Sequence, residues 1–263
     1  MARLSPVVKG IKPDALIIGE IWHDASPWLQ GDQFDGVMHY PFRDAVAAFF
    51  ATRQIGAETF DAWLAEWRMR YPEPAVQASW NLLGSHDTER FLTLCGGRVE
   101  RMRLAVLFQL TYLGAPVVYY GDEVGMEGGP DPDCRRPMIW DEAHQDRELF
   151  RWYRRLIRLR RDRAALRRGT VRTWWVDPLA YGYGFLRMVD EEAVGVVLNN
   201  GPQATAAALD AQAFGDARQL VDALSGEVFA VEGRCVTVPL QPWQGRVLLR
   251  GGSCAAAWPG ASD

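Results

Sequence analysis

The chain has 263 residues, 48% of them hydrophobic, and a formal charge of −4, enough apolar material for one large core or two smaller ones. That charge offers no global attraction to nucleic acid or an anionic membrane, and no apolar run reaches the roughly 18 residues of a membrane span. The start, Met1-Ala2-Arg3-Leu4-Ser5-Pro6, lacks the apolar centre of a secretory leader; Cys95, Cys134, Cys235 and Cys254 are too scattered for a zinc site or a disulfide framework, so a reduced, cytoplasmic protein is expected.

Residues 7–12 read as the end of a helix stopped near Pro13. Residues 15–19 form a short continuous apolar run, the pattern of a strand buried on both faces, and it runs directly into Glu20, Ile21, Trp22 and His23. Residues 34–40 predict a second strand ending in His39 and Tyr40, with a helix beginning at Pro41. Phe60, Trp63, Leu64 and Trp67 share one helical face. Residues 78–83 predict a third strand, followed by Gly84, Ser85, His86 and Asp87. A helix apolar nearly all round spans 102–113, with Gly114 and Pro116 as stop signals. A fourth strand over 116–120 leads to Gly121, Asp122 and Glu123, then a Gly/Pro/Asp-rich loop reaches Met138. Leu149, Tyr153, Leu156 and Ile157 mark a helix continuing to Arg163.

After Gly169 the texture changes. Strand-like runs at 173–176, 184–189, 194–198, 219–223, 236–240 and 246–250 are separated by turn residues, which predicts a small antiparallel sandwich. The expected division is therefore 1–166, 167–250 and a disordered Gly/Ala/Ser/Pro tail over 251–263. Four strand–helix units in the first part argue for parallel strands with helical crossovers, as half of an eight-stranded barrel or a small open sheet.

A charge cannot be buried unpaired without cost, so acids at strand ends must reach water or a partner. Glu20, His39-Tyr40, His86-Asp87 and Asp122-Glu123 stand in phase, and parallel barrels assemble their active sites on that rim. Acids here could instead cap the helices that follow. Carboxylates among aromatics suit glycoside hydrolysis, in which one acid protonates the leaving oxygen and another attacks or stabilises the sugar cation. Trp22, Trp28, Tyr40 and Trp140 are candidate sugar platforms among the eleven tryptophans and eight tyrosines.

The motifs Gly19-Glu20-Ile21-Trp22-His23-Asp24, Gly31-Asp32-Gln33-Phe34-Asp35-Gly36-Val37-Met38, Asn81-Leu82-Leu83-Gly84-Ser85-His86-Asp87-Thr88 and Tyr119-Tyr120-Gly121-Asp122-Glu123 resemble the α-amylase superfamily, glycoside hydrolase family 13. With Asp131-Pro132-Asp133-Cys134-Arg135 and Met138-Ile139-Trp140-Asp141, the resemblance narrows to its neopullulanase, cyclomaltodextrinase and maltogenic amylase group. The resemblance implies that the four strands are strands five to eight of a (β/α)8 barrel, followed by the family's C-terminal sandwich. It implies Glu20 as general acid/base and Asp87 as the transition-state-stabilising acid. His86, Trp22, Tyr40, Arg135 and Glu123 would bind an α-glucan, maltooligosaccharide or cyclodextrin.

The sequence departs from the family in one respect that matters: nothing matches the nucleophilic Asp of its Arg-x-Asp motif, Arg43-Asp44 having the wrong spacing, nor the substrate-binding His of strand three. His39 also stands where the family leads one to expect Asn. The expected form is thus a second half whose partner is a missing N-terminal half or a second copy, either active once completed or a non-catalytic glucan-binding remnant. The pair His86-Asp87 with His23 and His39 also fits an HD-type metal phosphohydrolase, although those proteins are helical. The eight arginines over 147–163 read as a solvated helix face rather than a nucleic-acid site. The stretch 125–133 lacks EF-hand spacing, and no metal or cofactor is expected.

Overall fold

A computed structural model describes residues 4–179 and 181–252. The chain divides into two compact units, Met1–Ile55 with Thr59–Arg158, and Gly56–Glu58 with Leu159–Asp263. Most of the tail expected over 251–263 lies outside the described residues; Gly251 and Gly252 form a turn. No described helix is long and apolar enough to cross a membrane.

The first unit contains α1 (Leu4–Ile11), β1 (Ile18–Gly19), β2 (Gly36–Val37), α2 (Tyr40–Val46), α3 (Ala57–Arg70) from Thr59 onward, α4 (Glu73–Ala78), β3 (Trp80–Leu82), α5 (Phe91–Leu94), α6 (Val99–Thr111) and β4 (Ala115–Val117), and the C-terminal division between the units falls within α7 (Arg147–Asp162). β1 pairs in parallel with β2, and β3 in parallel with β4; a parallel bridge from Met38 to Trp80 joins the two pairs, so the strands lie side by side in chain order. Among the described residues no closed barrel forms.

Each strand is shorter than its apolar run. The run at 15–19 pairs only at Ile18 and Gly19, and Leu16 lies 57% exposed. The run at 116–120 pairs only at Pro116 and Val117, and Val118 and Tyr120 are exposed. The start of the run at 78–83 is taken by α4, which the sequence reading left out. Its prolines at 72 and 74 flank Glu73, and proline is compatible with a helix's first turn.

Side chains complete what the short strands leave open. Buried Gln109 on α6 donates from Nε2 to Asn81 O at 2.9 Å and to Val117 O at 2.8 Å, tying β3 to β4. Asn81 Nδ2 donates to Leu113 O at 2.6 Å. Gly114 sits at φ +100° with Asn81 Nδ2 2.8 Å from where a Cβ would lie, so only glycine fits. Phe42, Phe49, Phe50, Phe60 and Phe108 form an aromatic core; Phe49 and Phe60 stack at 4.4 Å. On the face predicted from residues 60–67, Phe60 and Leu64 are buried whereas Trp63 is exposed. Ile157 of α7 is likewise exposed, while Leu149, Tyr153 and Leu156 are buried.

His39 ends the second strand run and caps α2, its Nδ1 accepting from Phe42 N at 3.3 Å. That bond requires the neutral ring, and burial pushes the imidazole down to about 4. A histidine depressed from about 6.5 contributes stability that is complete above pH 6.5 and is lost as pH falls towards 4, about 3 kcal/mol over that interval. Urea denaturation at several pH values is expected to show this decline, and His39→Asn, which retains a cap acceptor, should flatten it; an unchanged slope in the variant would refute the assignment.

β1 pairs only with β2, and β4 only with β3, among the described residues. Unpaired, weakly charged strand edges recruit other strands. Concentration-dependent self-association of the purified chain is therefore expected in sedimentation velocity; a single monomer boundary across a hundredfold concentration range would contradict it.

In the second unit, α8 (Ala164–Arg168) precedes eight antiparallel strands: β5 (Thr170–Asp177), β6 (Gly182–Val189), β7 (Glu192–Asn199), β8 (Thr205–Asp210), β9 (Gln219–Asp222), β10 (Val228–Ala230), β11 (Cys235–Leu240) and β12 (Gly245–Arg250). Six form one sheet in the order β10-β9-β12-β7-β6-β5, and β11 pairs with β8. Alternate residues of β11 (Val236, Val238, Leu240) and of β8 (Ala207, Leu209) share one apolar core with Leu186, Val197, Leu220 and Leu248 of the larger sheet. β8 and β10 fall outside the strand-like runs of the sequence. The alanines of β8 have weak strand propensity and pair by alternation alone.

Candidate active site

Glu20 follows β1 at once, and His86-Asp87 follow β3 after a short turn. The turn is locally determined: Ser85 N donates to Thr88 Oγ1 at 2.9 Å, and Asp87 N to Ser85 Oγ at 3.2 Å. The two strand ends bring single side-chain atoms of Glu20, His86 and Asp87 within 4.8 Å of one another. His86 Nε2 lies 3.2 Å from Asp87 Oδ2. Arg135 Nη2 donates to Asp87 Oδ1 at 2.9 Å, and its Nε donates to His86 O at 2.8 Å and lies 2.9 Å from Asp131 Oδ1. The guanidinium thus spans the His86 carbonyl and one carboxylate oxygen of Asp87, fixing the turn and that oxygen together.

Tyr40 opens α2 beneath this group. Only 1% of it is exposed, and Trp22, itself half-exposed, stacks on its ring at 3.8 Å with 11° between planes. The Tyr40 ring face is therefore covered, and its hydroxyl is the part directed to the site, donating to Glu20 Oε1 at 3.0 Å. Burial, opposed by the Ser85 hydrogen bond and reinforced by Glu20, pushes the phenol up to about 12, so it remains a donor at neutral pH.

The remaining sequence candidates fall elsewhere. Glu123 lies in the turn Asp122–Val124, half-buried, with Oε2 enclosed and without a hydrogen-bond partner among the described residues; it is not in the group formed by Glu20, His86 and Asp87. Trp28 packs against His23 and a core cluster, whereas Trp140 is 82% exposed. Neither His23 nor His39 joins the group around Asp87, so of the histidines in the metal-phosphohydrolase reading only His86 is there.

Two residues that no sequence pattern marks as part of the site hold it together. Ser85 is one. Arg90 is the other: fully buried, it donates from Nε to Cys134 O at 2.9 Å and from Nη1 to Tyr120 O and to Asp122 Oδ1, the last at 2.9 Å. Its guanidinium carbon lies 4.2 Å from the Tyr119 ring centroid and 4.6 Å from that of Tyr120. Burial pushes Asp122 up to about 7 despite the opposing pull of Arg90. Asp122 is thus an interior partner of Arg90 rather than a rim acid. Cys134 Sγ in turn donates to His86 O at 3.2 Å, so Arg90 anchors the loop that delivers Arg135 to Asp87.

Parallel strands whose ends converge two carboxylates, an imidazole and a stacked aromatic pair are the framework on which barrel enzymes build their sites. The family description "Alpha amylase, catalytic domain" matches residues 1–169. The chain is 56% identical over 246 residues to neopullulanase 2 of Thermoactinomyces vulgaris, covering 93% of this chain and 42% of that protein. It is 52% identical over 198 residues to a cyclomaltodextrinase of Thermoanaerobacter pseudethanolicus, covering 75% of this chain and 34% of that protein. A solved cyclomaltodextrinase superimposes with a TM-score of 0.88 at 40% identity, over 94% of this chain and 42% of that one. The chain belongs to the α-amylase family, glycoside hydrolase family 13. It spans less than half the length of these relatives.

Proposed function

We propose that the chain supplies strands five to eight of a (β/α)8 barrel (residues 1–166) and the following β-sandwich (167–250) of a retaining α-glucan hydrolase, acting on maltooligosaccharides, cyclodextrins or related α-1,4- and α-1,6-linked glucans. The observation that carries this reading is the convergence of Glu20, His86 and Asp87 within 4.8 Å, in a chain 56% identical to a neopullulanase.

In this reading Glu20 protonates the glycosidic oxygen as the bond breaks, then takes a proton from the incoming water. Asp87, held by Arg135, binds sugar hydroxyls and strengthens those bonds as the ring acquires positive charge. His86 adds a donor beside it, and half-exposed Trp22 lines the acceptor side. The nucleophilic Asp of the retaining mechanism has no counterpart in these 263 residues and is contributed by a polypeptide bearing strands one to four. The relatives include an intracellular maltogenic amylase of Bacillus subtilis, 36% identical over 191 residues, which favours an intracellular setting.

The experiment is to mix the chain with the first half of the Thermoactinomyces neopullulanase and to follow sugar release from maltodextrin and cyclomaltodextrin. Turnover by the mixture supports the reading. A mixture that binds cyclomaltodextrin without cleaving it would leave the chain as a glucan-binding relative of the enzymes.

A further inference from the structure

We propose that Tyr40 and Ser85 are positioning residues whose hydroxyls form one hydrogen-bond chain from the acid/base Glu20 to the backbone of Asp87, fixing which oxygen of Glu20 faces the substrate. The inference rests on the role of Glu20 given above and extends it to residues acting through Glu20.

The directions of the bonds can be assigned from donor and acceptor chemistry. Asp87 N can only donate, and it does so to Ser85 Oγ at 3.2 Å. Ser85 Oγ and Tyr40 Oη lie 3.2 Å apart, and Tyr40 Oη lies 3.0 Å from Glu20 Oε1. An ionised Glu20 only accepts, so the Tyr40 proton points to Oε1. The phenol oxygen is then the acceptor for the Ser85 proton, and Ser85 Oγ is the acceptor for Asp87 N. Every proton in the chain has one place, and all three bonds run towards Glu20.

Both hydroxyls are sequestered: Ser85 is 3% and Tyr40 1% exposed. Neither side chain can exchange its partner for bulk water at low cost, which makes the arrangement preorganised rather than incidental. With Oε1 occupied by Tyr40, Oε2 is the oxygen left to carry the catalytic proton and meet the glycosidic oxygen. Trp22 stacks over the Tyr40 ring and holds the phenol in line. The chain also ties the end of β1 to the turn after β3, so Glu20 and Asp87 are registered to each other by side chains as well as by the sheet.

The test uses the complex of the chain with the neopullulanase first half, assayed on maltodextrin and on a nitrophenyl α-maltoside, whose leaving group needs little protonation. Tyr40→Phe removes one oxygen and keeps the stacked ring. It is expected to lower kcat on maltodextrin by about 10- to 100-fold at nearly constant KM, with a much smaller loss on the nitrophenyl substrate. Ser85→Ala should act in the same direction, Ser85→Thr should restore most of the rate, and the double variant should lose little more than Tyr40→Phe alone. Equal losses on both substrates, a raised KM at unchanged kcat, or fully additive losses would overturn the proposal while leaving the role of Glu20 intact. A wild-type complex with no turnover would overturn the functional reading and this proposal together.

Discussion

Purified alone, the 263-residue chain is expected to cleave maltodextrin and cyclomaltodextrin about 10⁴- to 10⁶-fold more slowly than when completed by a neopullulanase first half, the scale of loss seen when a hydrolase is deprived of its nucleophile. The reason lies in what the site contains. In the proposed reading Glu20 delivers a proton and Asp87 stabilises positive charge, but no residue matches the family's Arg-x-Asp nucleophile, and Arg43-Asp44, the nearest pair, lies in α2. Without a nucleophile to form the covalent glycosyl intermediate, protonation of the leaving group by a general acid does not complete the retaining route. In the completed enzyme Glu20→Gln should cut turnover of maltodextrin by a comparable order, because the amide cannot give up a proton, and should cut the first step on a nitrophenyl glycoside far less. Measuring sugar release from both substrates separates the two effects. Ordinary turnover by the isolated chain would contradict this account of the site.

Arg90→Ala should be the most destabilising single change near the site, by about 3–5 kcal/mol, the usual result of breaking a buried ion pair by removing one partner. Cys134 O and Tyr120 O lose a donor, Asp122 loses its counter-charge, and two tyrosine faces lose a stacked guanidinium. Arg90→Lys retains charge without the planar fork and should recover only part of the loss. Asp122→Asn should cost less, because the amide keeps an oxygen that can accept from Arg90 Nη1. Urea midpoints at a fixed protein concentration order the three variants; a shift of Arg90→Ala within about 0.5 kcal/mol of wild type, the range of ordinary surface substitutions, would show that the loop does not depend on it.

The buried face carrying Phe60 and Leu64 and the outlines of most elements were legible because apolar periodicity records burial directly. Strand length was not, since an apolar run does not report whether a neighbouring strand is present to pair with it: Leu16, Val118 and Tyr120 belong to such runs and face solvent. The two prolines around Glu73 look like loop punctuation and instead open a helix. Within the candidate site, Glu20, His86 and Asp87 stand out because they follow apolar runs. Ser85 and Arg90 do not, because what marks them is a partner remote in sequence: Tyr40 is 45 residues from Ser85, and Cys134 is 44 from Arg90. Tyr40 reads as an exposed platform by residue type, whereas the fold buries its ring under Trp22 and leaves only its hydroxyl directed to Glu20.

The most direct test of the central claim, that this chain contributes the acid/base but not the nucleophile, is a mixing assay on cyclomaltodextrin with four samples. These are the chain, the neopullulanase first half, the two together, and the two together with Glu20→Gln. Ring opening and sugar release are expected only in the wild-type mixture. Equal activity in the chain alone, or a mixture indifferent to Glu20→Gln, would contradict it.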